Sequence, residues 1–400
     1  MLPEISETQV IVIGAGLSGL AAAEGAVRAG RRVIVLEREP QVGGMSASLR
    51  RDGFVFDLGG HRFVPRRRNT RDYVQGFFPD KELMHKARRS RIHLKGRSFL
   101  YPPRFFDFLR HFGARTAADF VWEGVRASWR RRLSSRREES LSEWFACRFG
   151  QRLTQAYFAP YCRKLWGVGL SQLAADAAPP HLADKDMIHV LRDLLHGNVR
   201  RQEKLPAGHF YYPSGGIGSI AERMARAVED KGGRILLGRR AERVLRQPDG
   251  GCCVETCDPA GKREVFVAPK LVATAPLPEL VHMLHPQPRR DVLAAAASLR
   301  FRGMRFFNCM MDGPAVLPDP GLTVPEDRYI FFRVQEVSRW SPSCVPAPKT
   351  ACVFEIPCQK DDASWKMGDD EMLERVVADM KEMGVDIRER VFRTFSVRRQ

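Results

Sequence analysis

Gln9-Val10-Ile11-Val12-Ile13-Gly14-Ala15-Gly16-Leu17-Ser18-Gly19 is the stretch whose reading decides the fold. Its first five residues form a β-branched apolar run of the kind buried on both faces of a parallel sheet. The run feeds a G-x-G-x-x-G turn and then an Ala-rich helical stretch, Leu20 to Ala29, that stops at Gly30. A second strand pattern, Arg32-Val33-Ile34-Val35-Leu36, ends in Glu37, 18 residues past Gly19. Strand, glycine turn, helix, strand and terminal acid are the parts of a dinucleotide-binding β-α-β unit. Gly14 allows the tight turn, Gly16 lets a pyrophosphate approach the backbone, and Gly19 permits close helix–sheet packing. The helix start at Leu17 and Ser18 turns its amides to the phosphate charge, and Glu37 accepts hydrogen bonds from ribose hydroxyls. The competing reading is a glycine-rich turn in a sheet that binds no nucleotide.

Working outward, 400 residues imply two or three cooperating domains. Hydrophobic residues at 44% and charged residues at 28% exclude a disordered or collagen-like chain. No run of 18 apolar residues occurs, and Met1 to Glu7 has neither a basic nor an apolar leader region, so neither a spanning helix nor a secretion signal is expected. Lys plus Arg outnumber Asp plus Glu by 65 to 47, a net +18, and 52 of the 65 are arginine. That balance suits anionic partners, or else reflects arginine spread over the surface. The nine cysteines contain no C-x-x-C pair, which argues for reduced thiols in a cytoplasmic setting and against a metal centre or a disulfide framework.

Composition shifts divide the chain into four segments. Residues 1–75 and 210–280 carry α/β signals and read as two parts of one nucleotide domain. Residues 76–209 are aromatic, arginine-rich and helical in period, and read as a substrate or lid domain. Residues 281–400 alternate as strands, including Arg305 to Met310 and Tyr329 to Val334, then give a helix near Asp370 to Met383 before a return toward the nucleotide domain. The expected fold is α/β: a doubly wound, Rossmann-like domain with an inserted helical and β-sheet substrate domain.

The next stretch separates flavin from nicotinamide dinucleotides. Glu37-Arg38-Glu39-Pro40-Gln41-Val42-Gly43-Gly44-Met45 resembles the extension in FAD enzymes of the amine oxidase, protoporphyrinogen oxidase and UDP-galactopyranose mutase superfamily. Phe56-Asp57-Leu58-Gly59-Gly60-His61-Arg62-Phe63 is similar to the segment that passes the isoalloxazine ring there. The resemblance implies FAD as cofactor, with Arg38, Gly43, Gly44, Met45 and Gly60 among its contacts and His61 beside the flavin; without it, His61 reads as a histidine in a turn. Glu143 to Gly150, Phe158 to Gly167 and Phe210 to Gly218 resemble further mutase-like patterns, and imply that Tyr161 and Trp166 line a small-molecule substrate cavity. Read alone, Phe158, Tyr161, Leu165 and Trp166 are an apolar helix face.

Two departures qualify the resemblance. Where the mutases carry a diphosphate-gripping arginine, this chain has Ala174-Ala175-Asp176-Ala177-Ala178-Pro179-Pro180-His181, although Arg333 with its R-x-x-E spacing resembles a second such site. The late glycine-rich segment that closes over the flavin in such families is not found before Gln400, where the chain ends on an alternating strand, Val391 to Arg399. Three functions remain: an oxidoreductase in which flavin N5 accepts hydride, a mutase using reduced FAD without net redox change, and a truncated, inactive flavin-fold protein. The stretch Arg104 to Phe112, with Arg126 to Arg137, suits a segment lying on a membrane surface, peripheral at its inner face, or a helical lid whose aromatics face the core. No recognition motif accompanies the positive charge, so nucleic acid is not an expected partner.

Overall fold

A computed structural model describes residues 4–79, 82–100, 111–179, 182–195 and 209–400. Residues 104–110 of the basic aromatic stretch lie outside the described residues, as do Pro102, Pro103, Pro180 and His181. The chain divides into two compact units, Met1–Met84 with Tyr211–Phe301, and His85–Phe210 with Arg302–Gln400.

The first unit is built on four parallel strands in the order Arg234–Leu236, Val33–Leu36, Val10–Ile13, Lys270–Ala273. The β-branched run is a strand for the reason the sequence implies, since Ile11 and Val12 are wholly buried. Helices Leu17–Arg28 and Ser219–Glu229 pack on each other, burying Leu20, Ala23 and Val27 on one and Ile220, Met224 and Val228 on the other. A five-stranded sheet, ordered Glu4–Glu7, Arg263–Ala268, Cys252–Cys257, Arg240–Arg246, Leu284–His285, supplies a further layer. Ile11, Ile34 and Leu36 share one core with Val244, Val254 and Phe266 of that sheet. The fold is thus the expected α/β, Rossmann-like arrangement.

The second unit holds a seven-stranded sheet, ordered Val391–Arg399, Gly303–Met311, Thr350–Cys358, Arg333–Glu336, Gly321–Thr323, Arg91–Leu94, Arg97–Leu100. Every residue of Thr350–Cys358 is buried, and helix Asp369–Glu382 covers the sheet with Met372, Val376 and Met380. The strand expected over Tyr329 to Val334 begins only at Arg333. The Ile330 amide donates to the Asp379 carboxylate at 2.6 Å, which takes that residue out of the ladder. A helical subdivision of this unit, with Ala114–Leu133, Leu141–Phe149 and Ala159–Trp166, closes on Leu141, Trp144, Phe145, Phe149 and Cys162.

Arg305, wholly buried in the Gly303–Met311 strand, ties sheet to helix. Its five N–H groups reach Ser396 Oγ (2.8 Å), the carbonyls of Ser364 (2.8 Å), Met367 (2.7 Å) and Gly368 (3.4 Å), and Asp369 Oδ1 (2.7 Å). Every donor is matched, so the charge is held without orphaned groups. Arg305→Ala is expected to cost about 2–4 kcal/mol of unfolding free energy, because the carbonyls and Asp369 lose their partner. A urea titration checks it: the midpoint falls while the slope stays unchanged.

Candidate functional site

In the first unit, three glycines of the opening turn have three different reasons to be glycine. Gly14 has φ +100°, a region closed to most side chains, and a Cβ there would lie 2.5 Å from Thr274 Oγ1. A Cβ on Gly19 would lie 1.9 Å from the Gly14 carbonyl oxygen, so the helix seats against the turn only without one. Gly16 has an ordinary φ of −70°, and a Cβ there would meet nothing within 4 Å. Neither conformation nor packing in this chain calls for glycine at position 16.

Gly16 is the N-cap of helix Leu17–Arg28, with no side chain capping it and no acid in the first turn. The amides of Leu17, Ser18 and Gly19 therefore start the helix without intrahelical acceptors, and Gly16 accepts from Leu20 at 2.9 Å. Glu37 is buried at the end of its strand. Its Oε2 accepts from the Ala15 amide (2.6 Å) and its Oε1 from the Glu39 amide (2.9 Å).

The Gly43-Gly44 pair lies against this turn. Gly43 donates to the Ala15 carbonyl at 2.8 Å, and a Cβ on Gly44 would come to 3.4 Å from Gly16 Cα. Met45 is 50% exposed beside it. Arg38 points away into an exposed ion pair with Glu279 at 2.8 Å.

Gly60 and His61 follow a hairpin, Ser48–Arg51 and Phe54–Asp57. His61 Nε2 lies 2.8 Å from the Leu58 carbonyl. A carbonyl only accepts, so Nε2 carries a proton. The hairpin end is fastened by Asp57, a residue that pattern reading passed over. Asp57 accepts from Ser48 Oγ (2.6 Å), Tyr212 OH (2.6 Å) and the Ile217 amide (3.1 Å). Burial pushes its carboxyl above the usual range, against the lowering effect of those three donors. Its partners are up to 160 positions distant, so only the Phe210-Tyr211-Tyr212-Pro213 match could have pointed to them.

In the second unit, Tyr161 is half-buried and meets Phe332 edge-on, with ring centroids 5.0 Å apart. Trp166, the last residue of the same helix, is 49% exposed. Five residues on a helix subtend about 140°, so the two rings leave on different faces. Phe158 faces inward, stacked on Phe145 at 4.0 Å.

Arg333 does not pair with Glu336. Residues three apart on a strand face opposite sides, and Glu336 turns to Thr350 and to the amides of Val316 (3.0 Å) and Leu317 (2.9 Å). The Arg333 Nε and Nη2 instead grip the buried Glu355 at 2.9 and 2.6 Å. Burial works against the guanidinium charge, but Glu355 outweighs it and holds Arg333 above its ordinary value. Glu355 takes one of the two bidentate edges of the guanidinium and leaves the Nη1/Nη2 edge.

A family model for flavin containing amine oxidoreductases matches residues 17–396. The chain belongs to that family. As a member it takes FAD, and the turn fits an adenine dinucleotide: open space at Gly16, a helix start that no side chain caps and a fixed acid at Glu37. Among curated relatives, it is 25% identical over 197 residues to coproporphyrinogen III oxidase of Propionibacterium freudenreichii subsp. freudenreichii, covering 47% of this chain and 37% of that one. It is 28% identical over 309 residues to phytoene dehydrogenase of Streptomyces griseus, covering 71% and 57%. The chain thus spans only part of the length of either relative. A reduced UDP-galactopyranose mutase structure superposes with TM-score 0.79 at 20% identity, over 98% of this chain and 81% of that one, which shows a shared fold.

Lys164, one turn after Tyr161, is the second group that pattern reading left unassigned. Its Nζ donates to the carbonyls of Val324 (2.9 Å) and Glu326 (2.7 Å). Burial lowers its pKa from 10.5 to about 7, against the pull of Asp327, Asp379 and Glu326. The folded state therefore binds fewer protons than the unfolded chain between about pH 7 and 10.5. Stability rises with pH across that window and is penalised in full below it. Relative to Lys164→Met, the wild-type chain should gain stability as pH rises through the window and hold a constant difference below it, read from denaturant titrations at stepped pH.

Proposed function

We propose that this protein is an FAD-dependent oxidoreductase that accepts hydride from a small organic substrate in the cytoplasm. Gly16 carries the reading: its missing side chain serves neither backbone conformation nor internal packing, which leaves close approach by a ligand as the reason for glycine. The pyrophosphate rests on the amides of Leu17, Ser18 and Gly19, with Gly43, Gly44 and Met45 alongside, and Glu37 takes the ribose hydroxyls. The segment Gly60-His61, held in place by Asp57, flanks the ring. Arg38, tied to Glu279, contributes at the rim. Bound FAD supplies hydride acceptance at N5. The residues of the chain bind, orient and exclude water, so no acid–base dyad is required of them.

The substrate falls to the second unit, with Tyr161, Trp166 and Arg333 as its contacts. Two relatives are named for the oxidation of coproporphyrinogen III and the dehydrogenation of phytoene, which supports net oxidation of an organic substrate. A mutase using reduced FAD without net redox needs a firm diphosphate clamp, and the stretch Ala174 to His181 lacks the arginine that the mutase resemblance implies there. The nine free cysteines fit a reducing compartment.

Gly16→Val should lower FAD affinity by at least about a hundredfold, because a branched side chain takes the space of the pyrophosphate. Stripped of flavin, it should melt with the flavin-free wild type, whereas Gly19→Ala should melt early, since its Cβ collides with the Gly14 carbonyl. Absorbance of the flavin retained through gel filtration, with a thermal melt alongside, reads both; a Gly16→Val chain that keeps its flavin ends the assignment. His61→Ala should shift the flavin reduction potential, measured by dye-coupled titration, while leaving the melt nearly unmoved. Substrate-driven bleaching of the flavin without UDP-sugar isomerisation separates oxidoreductase from mutase.

A further inference from the structure

Helix Ala114–Leu133 buries one face and leaves the other with no covering element among the described residues. Ala117, Phe120, Gly124 and Ser128 form the buried face. Opposite them, Trp122 is 72% exposed, Trp129 61% and Leu133 76%. Positions 122, 129 and 133 are spaced by seven and four, so the three apolar side chains make one stripe, about 17 Å long at 1.5 Å per residue. Two tryptophans exposed to that degree on one helix face carry an apolar area that water disfavours.

The same face is basic. Arg115, Arg126 and Arg130 share it with the acids Asp119 and Glu123, while Arg131 and Arg132 leave by other faces and pair with Glu138 and Asp186. Arg115, Arg126 and Arg130 are exposed, and none of the three forms an ion pair among the described residues. Arg126 lies one turn from both Trp122 and Trp129, and Arg130 is beside Trp129. Asp119 is already neutralised by Arg152 at 2.9 Å. Arg136 and Arg137, beyond the helix end, are paired with Glu143 (3.3 Å) and Asp176 (3.9 Å) and add no net charge to the face.

We propose that this face docks on a lipid surface bearing anionic headgroups, with Trp122, Trp129 and Leu133 seated at the headgroup–acyl boundary. Indole rings are stable at that boundary because one edge is apolar and the N–H meets water. Arg115, Arg126 and Arg130 stand among them to meet the phosphates. Charge complementarity selects this occupant. A second copy of the chain would set arginine against arginine, and an apolar partner would leave the arginines unpaired. The inward face stays in the core, so the helix lies on the surface by its outer stripe and does not sink in. The proposal is independent of the flavin chemistry.

Co-sedimentation of the full chain with vesicles tests it, using phosphatidylcholine alone and phosphatidylcholine with about one third phosphatidylglycerol. Binding is expected to the anionic vesicles, with a blue shift of tryptophan emission and release by salt. The double variant Trp122→Ser with Trp129→Ser should lose at least about tenfold in affinity and the blue shift with it. Arg126→Gln with Arg130→Gln should lose roughly thirtyfold, from about 1 kcal/mol per arginine. Both pairs are exposed, so melting curves should match the wild type; were either pair to unfold, Arg115→Gln alone supplies the reading at a smaller loss. Equal binding to the two vesicle types overturns the proposal, as do variants that sediment like the wild type. Two other results also overturn it: a tryptophan-dependent dimer seen by sedimentation velocity without vesicles, and duplex DNA captured through the arginines with no contribution from the tryptophans.

Discussion

The first unit depends on the contact between the Gly14 carbonyl and the bare Cα of Gly19. The strand Val10–Ile13 must hand over to a helix within three residues, and the helix must then lie flat on the sheet it has just left. With 1.9 Å between the carbonyl oxygen and the site of a Cβ, the backbone of the turn itself is the packing surface. The rest of the site follows from that closeness. The helix start is brought beside the carboxyl ends of the strands, where Glu37 terminates its own strand and Gly43 bonds to Ala15. A crevice at the carboxyl ends of parallel strands is where doubly wound sheets bind their ligands.

A second constraint is polar. Asp57 joins a hairpin, a tyrosine from Phe210-Tyr211-Tyr212 and the turn at Ile217, which come from three separate stretches of chain. Its burial is costly for a carboxylate, and the three donors are what make the position tenable. Arg305 plays the corresponding part in the second unit, where a buried guanidinium gathers carbonyls at the start of a helix. Part of the chain's arginine content is therefore internal architecture, and because Arg305 is balanced by Asp369 the net charge of +18 is carried elsewhere.

How much of this was legible from sequence follows the distance between partners. The opening turn could be read almost residue by residue, because its constraints act between neighbours: Gly14 on Gly19, Gly16 on the helix start, Gly43-Gly44 on Ala15. The parallel order of the strands followed from the β-α-β pattern. Asp57 was invisible as a hub, since its donors lie 9 to 160 positions away. Arg333 is a further case. Its R-x-x-E spacing resembles a phosphate-gripping site and carries no sign of Glu355, which the neighbouring strand brings against it, while strand alternation sends Glu336 to the far side. The Tyr161 and Trp166 pair was read as one lining, whereas helix periodicity parts the two rings. A π-helical turn at Thr154–Phe158 precedes them, and the sequence carried no sign of it.

Glu37 has a consequence for how the cofactor is taken up. Both of its carboxylate oxygens are already pinned to backbone amides of the chain, so its rotamer is settled before any ribose arrives. A carboxylate has about four lone-pair directions, and two remain for hydroxyls. The usual loss of side-chain freedom on binding, about 0.5–1.5 kcal/mol for a group of this size, has been met during folding instead. On the proposed assignment, the adenosine end of the ligand finds a rigid berth at Glu37.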